Sequence, residues 1–316
     1  MSRLAVIAIG GNSIAPRNQD LSAVRQQQAM DQLAETITAI QSSGYRVVLT
    51  HGNGPQVGLE LQRAEIAHQH QALPQATLAG CVAATQGGMG AQLQLALANY
   101  LPEDENARAI SLVTLVEVAQ DDPAFHAPDK PVGLYYNHTE YQQLAVKHPD
   151  WHFAAEAGKG HRRVIPSPHP RRILTSGVIA SLLHLGHLVI AGGGGGVPVI
   201  CGADGRYQCV DGVIDKDLTS ALLAREIAAD LLVITTGVEH VCLNFGTPQQ
   251  KPLEAVGAAE MAQYLREGHF PAGSMKPKIE ASLAFLRQGG KQVIITDLPH
   301  LMAALHGRAG TRILAE

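Results

Sequence analysis

LAVIAIGGN, residues 4–12, is the stretch that decides the fold. Six apolar residues run without a polar interruption and stop at Gly10-Gly11-Asn12. Such a run, bounded by glycine, reads as a strand buried on both faces and opening into a loop. The same grammar returns in RVVLTHGNGP at 46–55, where Arg46 to Thr50 leads into His51-Gly52-Asn53-Gly54-Pro55. Between them, Ala23, Met30, Leu33, Ile37 and Ile40 fall at helical spacing and Gly44 supplies a stop. Strand, helix and strand within fifty residues is the β-α-β alternation of a mainly parallel sheet with helices on both faces.

Working outward, amphipathic segments are expected near 56–70 and 76–100, and a strand over 109–116. Core texture covers 176–185, a strand covers 187–191, and five glycines follow at 192–196. Residues 218–227 read as helix, 231–235 as strand, 276–287 as helix, and 292–296 as the last clear strand. Between about 120 and 170 the texture changes: seven prolines and six histidines interrupt every period. So long a segment without helical or β period predicts a lid or small subdomain. The division expected is a single domain over 1–316, drawn as two halves: 1–215, carrying the 120–170 insertion, and 216–316.

Composition excludes several classes. Lys and Arg number 24 against 28 Asp and Glu, so no basic footprint for nucleic acid exists. Aromatics at 4% are too few for base-stacking platforms. No run approaches the ~20 apolar residues of a spanning helix, and residues 4–9 are too short for a signal core. Cys81, Cys201, Cys209 and Cys242 are far apart with no C-x-x-C, which suits reduced thiols. The expectation is a soluble cytoplasmic protein without membrane or nucleic-acid partners. The 15 histidines form no convincing ligand set, so no structural metal is expected.

The glycine loops fail the usual nucleotide fingerprints. G-x-x-x-x-G-K-[ST] is absent, and G-x-G-x-x-G is missed at both Gly52-x-Gly54 and Gly192-x-Gly194. What remains is three glycine loops at strand ends: Gly10-Gly11-Asn12, Gly52-Asn53-Gly54, and 192–196 with Gly193 and Gly194. In an open α/β sheet, ligands bind beyond the carboxyl ends of strands. Glycine lets backbone N–H groups approach phosphate or carboxylate oxygens there. Three cations join them: Lys216 in Asp215-Lys216-Asp217, Lys278 in Lys276-Pro277-Lys278, and Lys130 in Lys130-Pro131-Val132-Gly133. A cation at a helix start opposes the helix dipole, and a bound polyphosphate is a reason to place one there. The aspartates could hold the lysines in position or help bind magnesium.

Together these residues resemble the carbamate kinase family, a branch of the amino acid kinase fold. The strings are AIGGNS at 8–13, HGNGPQVG at 51–58, TQGGMG at 85–90, KPVG at 130–133, RRVIPSP at 162–168, GGGGVPV at 193–199, VIDKDL at 213–218, TTGVEHVCLNFG at 235–246 and GHFPAGSMKPKIEA at 268–281. They run in family order along essentially the whole chain. The resemblance implies a three-layer αβα sandwich with a protruding lid, forming a homodimer. It implies phosphoryl transfer between ATP and carbamate with Mg²⁺, usually run as ADP plus carbamoyl phosphate giving ATP. By motif, Gly10, Gly11 and Asn12 would cradle the moving phosphate, with Gly52 and Asn53 at the carbamate end. Lys216 and Lys278 would neutralise phosphates, Lys130 would reach in from the lid, and Asp217 would orient the lysines. Thr235, Thr236, Gly237, Val238 and Met275 would line the nucleotide pocket.

The chain departs from the family pattern at Lys159 and His161 in the lid, at Glu239-His240, at Ala91 and at Lys276. Two other classes therefore stay open beside a carbamate kinase: a kinase of the same fold with another small carboxylate acceptor, and a non-catalytic nucleotide-binding sensor.

Overall fold

A computed structural model describes residues 2–11, 23–71, 73–101, 109–156, 158–271 and 274–315. In chain order the elements begin β1 (Arg3–Ile9), α1 (Ala23–Ser42), β2 (Tyr45–His51), α2 (Gly54–Gln71) and α3 (Leu78–Tyr100). Next come β3 (Ala109–Ser111), β4 (Leu115–Val118), β5 (Lys130–Tyr136), α4 (His138–Lys147), β6 (His152–Glu156), β7 (Gly160–Ile165) and β8 (Pro170–Ile173). Then follow α5 (Ser176–His184), β9 (Leu188–Ile190), β10 (Val197–Cys201), β11 (Tyr207–Cys209), α6 (Lys216–Glu226) and β12 (Leu231–Thr235). After β13 (Cys242–Leu243), β14 (Lys251–Pro252) and β15 (Ala255–Gly257), the chain closes with α7 (Ala258–Arg266), α8 (Met275–Arg287), β16 (Gln292–Thr296), α9 (Leu301–Leu305) and β17 (Thr311–Leu314).

The main sheet has the order β15-β17-β16-β12-β1-β2-β9-β3. Its four central strands, β12, β1, β2 and β9, are parallel neighbours. Alternation along β1 divides the interior. Ala5, Ile7 and Ile9 face one layer with Met30, Leu33 and Ile37 of α1 and Leu93 and Leu97 of α3. Leu4, Val6 and Ala8 face the other, with Ile179 of α5, Leu223 of α6 and Ile279 and Leu283 of α8. Both faces of β1 are thus apolar because both are covered, which is why its sequence does not alternate. The architecture is the expected αβα sandwich. Among the described residues no helix is long and apolar enough to cross a membrane.

Three sequence expectations change. The strand expected over 109–116 is two strands in two sheets. Leu112 still donates to Ile190 O at 2.9 Å, but the chain then turns at buried Thr114. Thr114 N donates to Gln86 Oε1 (2.9 Å) and its hydroxyl accepts from Gly192 N (2.8 Å), after which β4 joins β10. Ser111 and Thr114 interrupt the apolar stretch, but their spacing along the chain does not reveal a change of partner. Residues 292–296 are not the last strand: β17 returns antiparallel to β16. At four residues it is too short to show a period.

Residues 120–170, expected to be a lid or small subdomain but with no legible period, contain a three-stranded sheet, β5-β7-β6, with α4 beside it. Asn137 and Glu140 close a capping box at the start of α4. Most of the prolines that hid the pattern bracket elements: Pro149 follows α4, Pro166 and Pro168 follow β7, and Pro170 opens β8. The flanking strands β4 and β8 belong to a separate sheet, β11-β10-β4-β8.

Candidate active site

The parallel strands β12, β1, β2 and β9 release their glycine loops at one edge of the main sheet. In register, Ile9 stands opposite His51, and Ala8 opposite Ile234. The loops touch one another. Gly52 N donates to Ile9 O at 3.0 Å, and Gly10 N donates to Thr235 Oγ1 at 2.9 Å. A Cβ on Gly52 would stand 2.9 Å from Gly11 N, so only glycine allows this approach of two backbones. Above this edge lies a cavity of about 310 Å³ bordered by Gly10, Gly11, Gly52, Asn53, Gly54 and Gly194 of the glycine loops. Thr235, Thr236, Gly237, Lys278, Lys130 and Lys216 complete its border.

Its cationic centre is built by helix starts. Asp215 caps α6, accepting from Asp217 N (2.8 Å) and Leu218 N (3.3 Å), which fixes the first turn. Lys216 and Asp217 follow directly, and Lys216 Nζ donates to Asp217 Oδ1. Lys278, in the first turn of α8, donates to Asp217 Oδ2 at 2.8 Å. One buried carboxylate therefore holds two lysines from two helices. Burial alone would push the Asp217 carboxyl up, but Lys216 and Lys278 together hold it far below the usual carboxylate range. Burial lowers Lys216, with Asp217 opposing that shift and Lys278 adding to it. Lys130 enters from β5: its Nζ donates to Ile214 O at 3.1 Å and lies 3.8 Å from Asp215 Oδ2. Burial lowers it too, against the pull of Asp215 and Asp217.

Not every expected residue borders the cavity. Gly193 lies behind it, where a Cβ would meet His51 Nε2 at 2.5 Å, so its lack of a side chain serves packing. Met275 packs against the core cluster around α8, and neither it nor Val238 forms part of the cavity wall. Asn53 borders the cavity, but it is buried and its Nδ2 is committed to Thr85 Oγ1 at 2.8 Å. Asn12 lies outside the described residues.

Several residues were not singled out from sequence. His51 is fully buried beneath Gly52, its Nδ1 3.2 Å from Gly52 O; burial, with a smaller contribution from Lys216, lowers it to about 4. Thr50 and Ser220 hydroxyls meet at 2.6 Å and join β2 to α6; Ser220 also donates to Lys216 O. Thr85 and Gln86 brace the loops from α3. Their signal was in view: Thr85-Gln86 interrupts an otherwise apolar face of α3, and buried polar groups need partners.

The amino acid kinase family model matches residues 3–297. The chain belongs to the amino acid kinase family. Within that family it sits among carbamate kinases: it is 53% identical to the carbamate kinase-like protein YahI of Escherichia coli, over 99% of both chains. It is 40% identical to the carbamate kinase of Thermococcus kodakarensis, over 98% of this chain and 99% of that one. Among solved structures, the carbamate kinase from Giardia lamblia bound to AMP-PNP superposes with a TM-score of 0.91 at 37% identity, covering 100% of this chain and 99% of the other. The protein is a kinase, a phosphotransferase of the carbamate kinase type.

The departures from this kinase family's pattern stand away from the cavity wall. Lys159 pairs with Glu156 on the surface, and His161 stacks on Tyr141 at 4.2 Å. His240 lies 3.7 Å from Glu239, whose other oxygen is 3.8 Å from His300. Lys276 reaches Glu280 at 3.9 Å.

Proposed function

We propose that this kinase transfers a phosphoryl group between a nucleotide and carbamate, working as ADP plus carbamoyl phosphate giving ATP. The observation that carries the reading is the Lys216–Asp217–Lys278 triad and the glycine loops bordering one cavity. Carbamate is already an anion, so its attacking oxygen needs no general base. The reaction needs in-line placement and cancellation of charge on the equatorial oxygens of the moving group. The backbone N–H of Gly11 would do the first, while those of Gly10 and Gly52 hold the loops in place on Thr235 and Ile9. Lys216 and Lys278 would do the second, with Asp217 fixing where they point. Lys130 would meet the acid phosphate from β5, and the three-stranded unit carrying it would act as the lid. Thr235, Thr236 and Gly237 would border the nucleotide.

Magnesium would enter as part of the nucleotide substrate. Asp217 uses both oxygens on lysines, and Asp215 uses one on the α6 cap and faces Lys130 with the other. Among the described residues no group of three His, Cys, Asp or Glu side chains is placed to hold an ion. The residues present do not form a resident metal cage, so no step is assigned to one.

A reaction fed by ADP suits the cytoplasm. We further read the enzyme as a homodimer, as the family resemblance implies. Exposed Val178 and Leu185, two helical turns apart at α5, support a face covered by protein; a light-scattering mass equal to one chain would exclude it.

The deciding experiment is ATP formation from ADP and carbamoyl phosphate with purified protein, beside Lys216→Ala. Rapid nucleotide-dependent synthesis, lost in a variant that still folds, is the expected result. Near-normal synthesis in Lys216→Ala would remove the assignment.

A further inference from the structure

A second cavity, of about 200 Å³, lies between α2 and the three-stranded unit, apart from the phosphoryl site. Leu61, Val132, Tyr136, Leu144 and Trp151 give it an apolar wall, and Arg163 is the cation in that wall. The Arg163 guanidinium lies 3.9 Å over the Trp151 ring, on which His148 also stacks at 4.0 Å. Its Nε is buried and has no hydrogen-bond partner. Among the described residues no carboxylate forms an ion pair with it; Asp211 and Asp150 act only through space. Glu65, the acid in the same wall, is engaged by Lys147 at 3.0 Å and His148 at 3.6 Å. A half-buried cation left unpaired while its neighbouring carboxylate is neutralised elsewhere is an arrangement that lacks one anion.

We infer that this cavity binds a small carboxylate with a compact apolar body, its carboxylate on Arg163 and its hydrocarbon against Leu61, Val132, Leu144 and Trp151. The volume is below the ~300–1,000 Å³ of drug-sized pockets, which suits an acid of a few carbons and excludes a nucleotide. Because α2 supplies one wall and β5, α4 and β7 supply the other, the ligand bridges the body of the enzyme and the unit that carries Lys130. Lys130 stands two residues before Val132 on β5. An acid bound here therefore contacts the same strand that delivers a lysine to the phosphoryl site.

Trp151 is the single tryptophan of the chain, so tryptophan fluorescence reports on this cavity alone. The probe is 3-methylbutanoate, titrated into the full-length protein beside its uncharged isostere 3-methylbutanamide. A saturable fluorescence change with the acid and none with the amide is expected in the wild-type protein. In Arg163→Gln the acid should bind about tenfold or more weakly, the range for losing a charge-assisted hydrogen bond. Lys216→Ala should titrate as the wild type does, which places the acid outside the phosphoryl site. No saturable change, an equal response to the amide, or full binding in Arg163→Gln would overturn the inference. The acid-against-amide comparison needs no variant, so a misfolded Arg163→Gln leaves it decisive. No phosphoryl transfer is read, and the outcome is independent of the proposed reaction.

Discussion

Asp217 is the residue on which the site turns. Its two oxygens hold Lys216 and Lys278, and all three side chains are largely buried. Asp217→Asn leaves two buried ammonium groups close together without their counter-charge. Removing one partner of a buried ion pair costs about 3–5 kcal/mol. The expected outcome is a fall of that order in chemical denaturation together with loss of ATP synthesis. A variant as stable as the parent would show that the lysines find other partners. His51 offers a pH test. Burial holds its imidazole neutral down to about 4, against 6.5 for an ordinary histidine. Between those values the unfolded chain takes up a proton that the folded one refuses. The stability this site contributes is therefore present above about 6.5 and lost as the pH falls towards 4. The denaturation midpoint should fall across that window, and more gently in His51→Gln; identical slopes would remove His51 from the account.

At the scale of elements, the loop after β9 is a tight joint. Gly195 has φ +90, and a Cβ there would stand 2.3 Å from the Ile214 carbonyl oxygen. That carbonyl accepts from Lys130, so Gly195→Ala strains the loop and shifts the acceptor of a site lysine. The backbone strain alone is about 1–3 kcal/mol. A lowered melting temperature and a reduced rate are expected together, measured by circular dichroism and by the synthesis assay. These loops were visible in the sequence because each follows a buried apolar strand with a cluster of glycines at its carboxyl end. Lys216 and Lys278 were visible because cations opening helices need an explanation. The braces were harder to see. Thr85 and Gln86 matter only through Asn53 and Thr114, partners fixed by the sheet rather than by spacing along the chain. The three-stranded unit was anticipated only as a lid or small subdomain, because its short strands carry exposed residues and prolines at their boundaries that hide the period. Gly193 and Met275 were assigned ligand roles by motif, while the packing around them involves His51 and the α8 core.

At the scale of the molecule, the cavity is walled by residues from both ends of the chain, Gly10 and Lys278 among them. A nucleotide bound there would tie the β1 and β2 loops to α8, and by linkage would stabilise only the folded form. With ADP at about 100 times its dissociation constant, the gain should approach ~2.7 kcal/mol. A thermal shift that rises with the logarithm of ADP concentration checks it; an unmoved transition would speak against nucleotide binding at this edge. The order of the central strands also sets a scale of length. Neighbouring strands lie ~4.8 Å apart, so the loops after β12 and β2, separated by β1, span roughly 10 Å. The sheet is in this sense a gauge block. Loop residues can be exchanged, but the distance between these two loops is fixed by backbone hydrogen bonds that no side-chain substitution resets. Descendants of this scaffold would be expected to vary in the residues of these loops while keeping the separation between them.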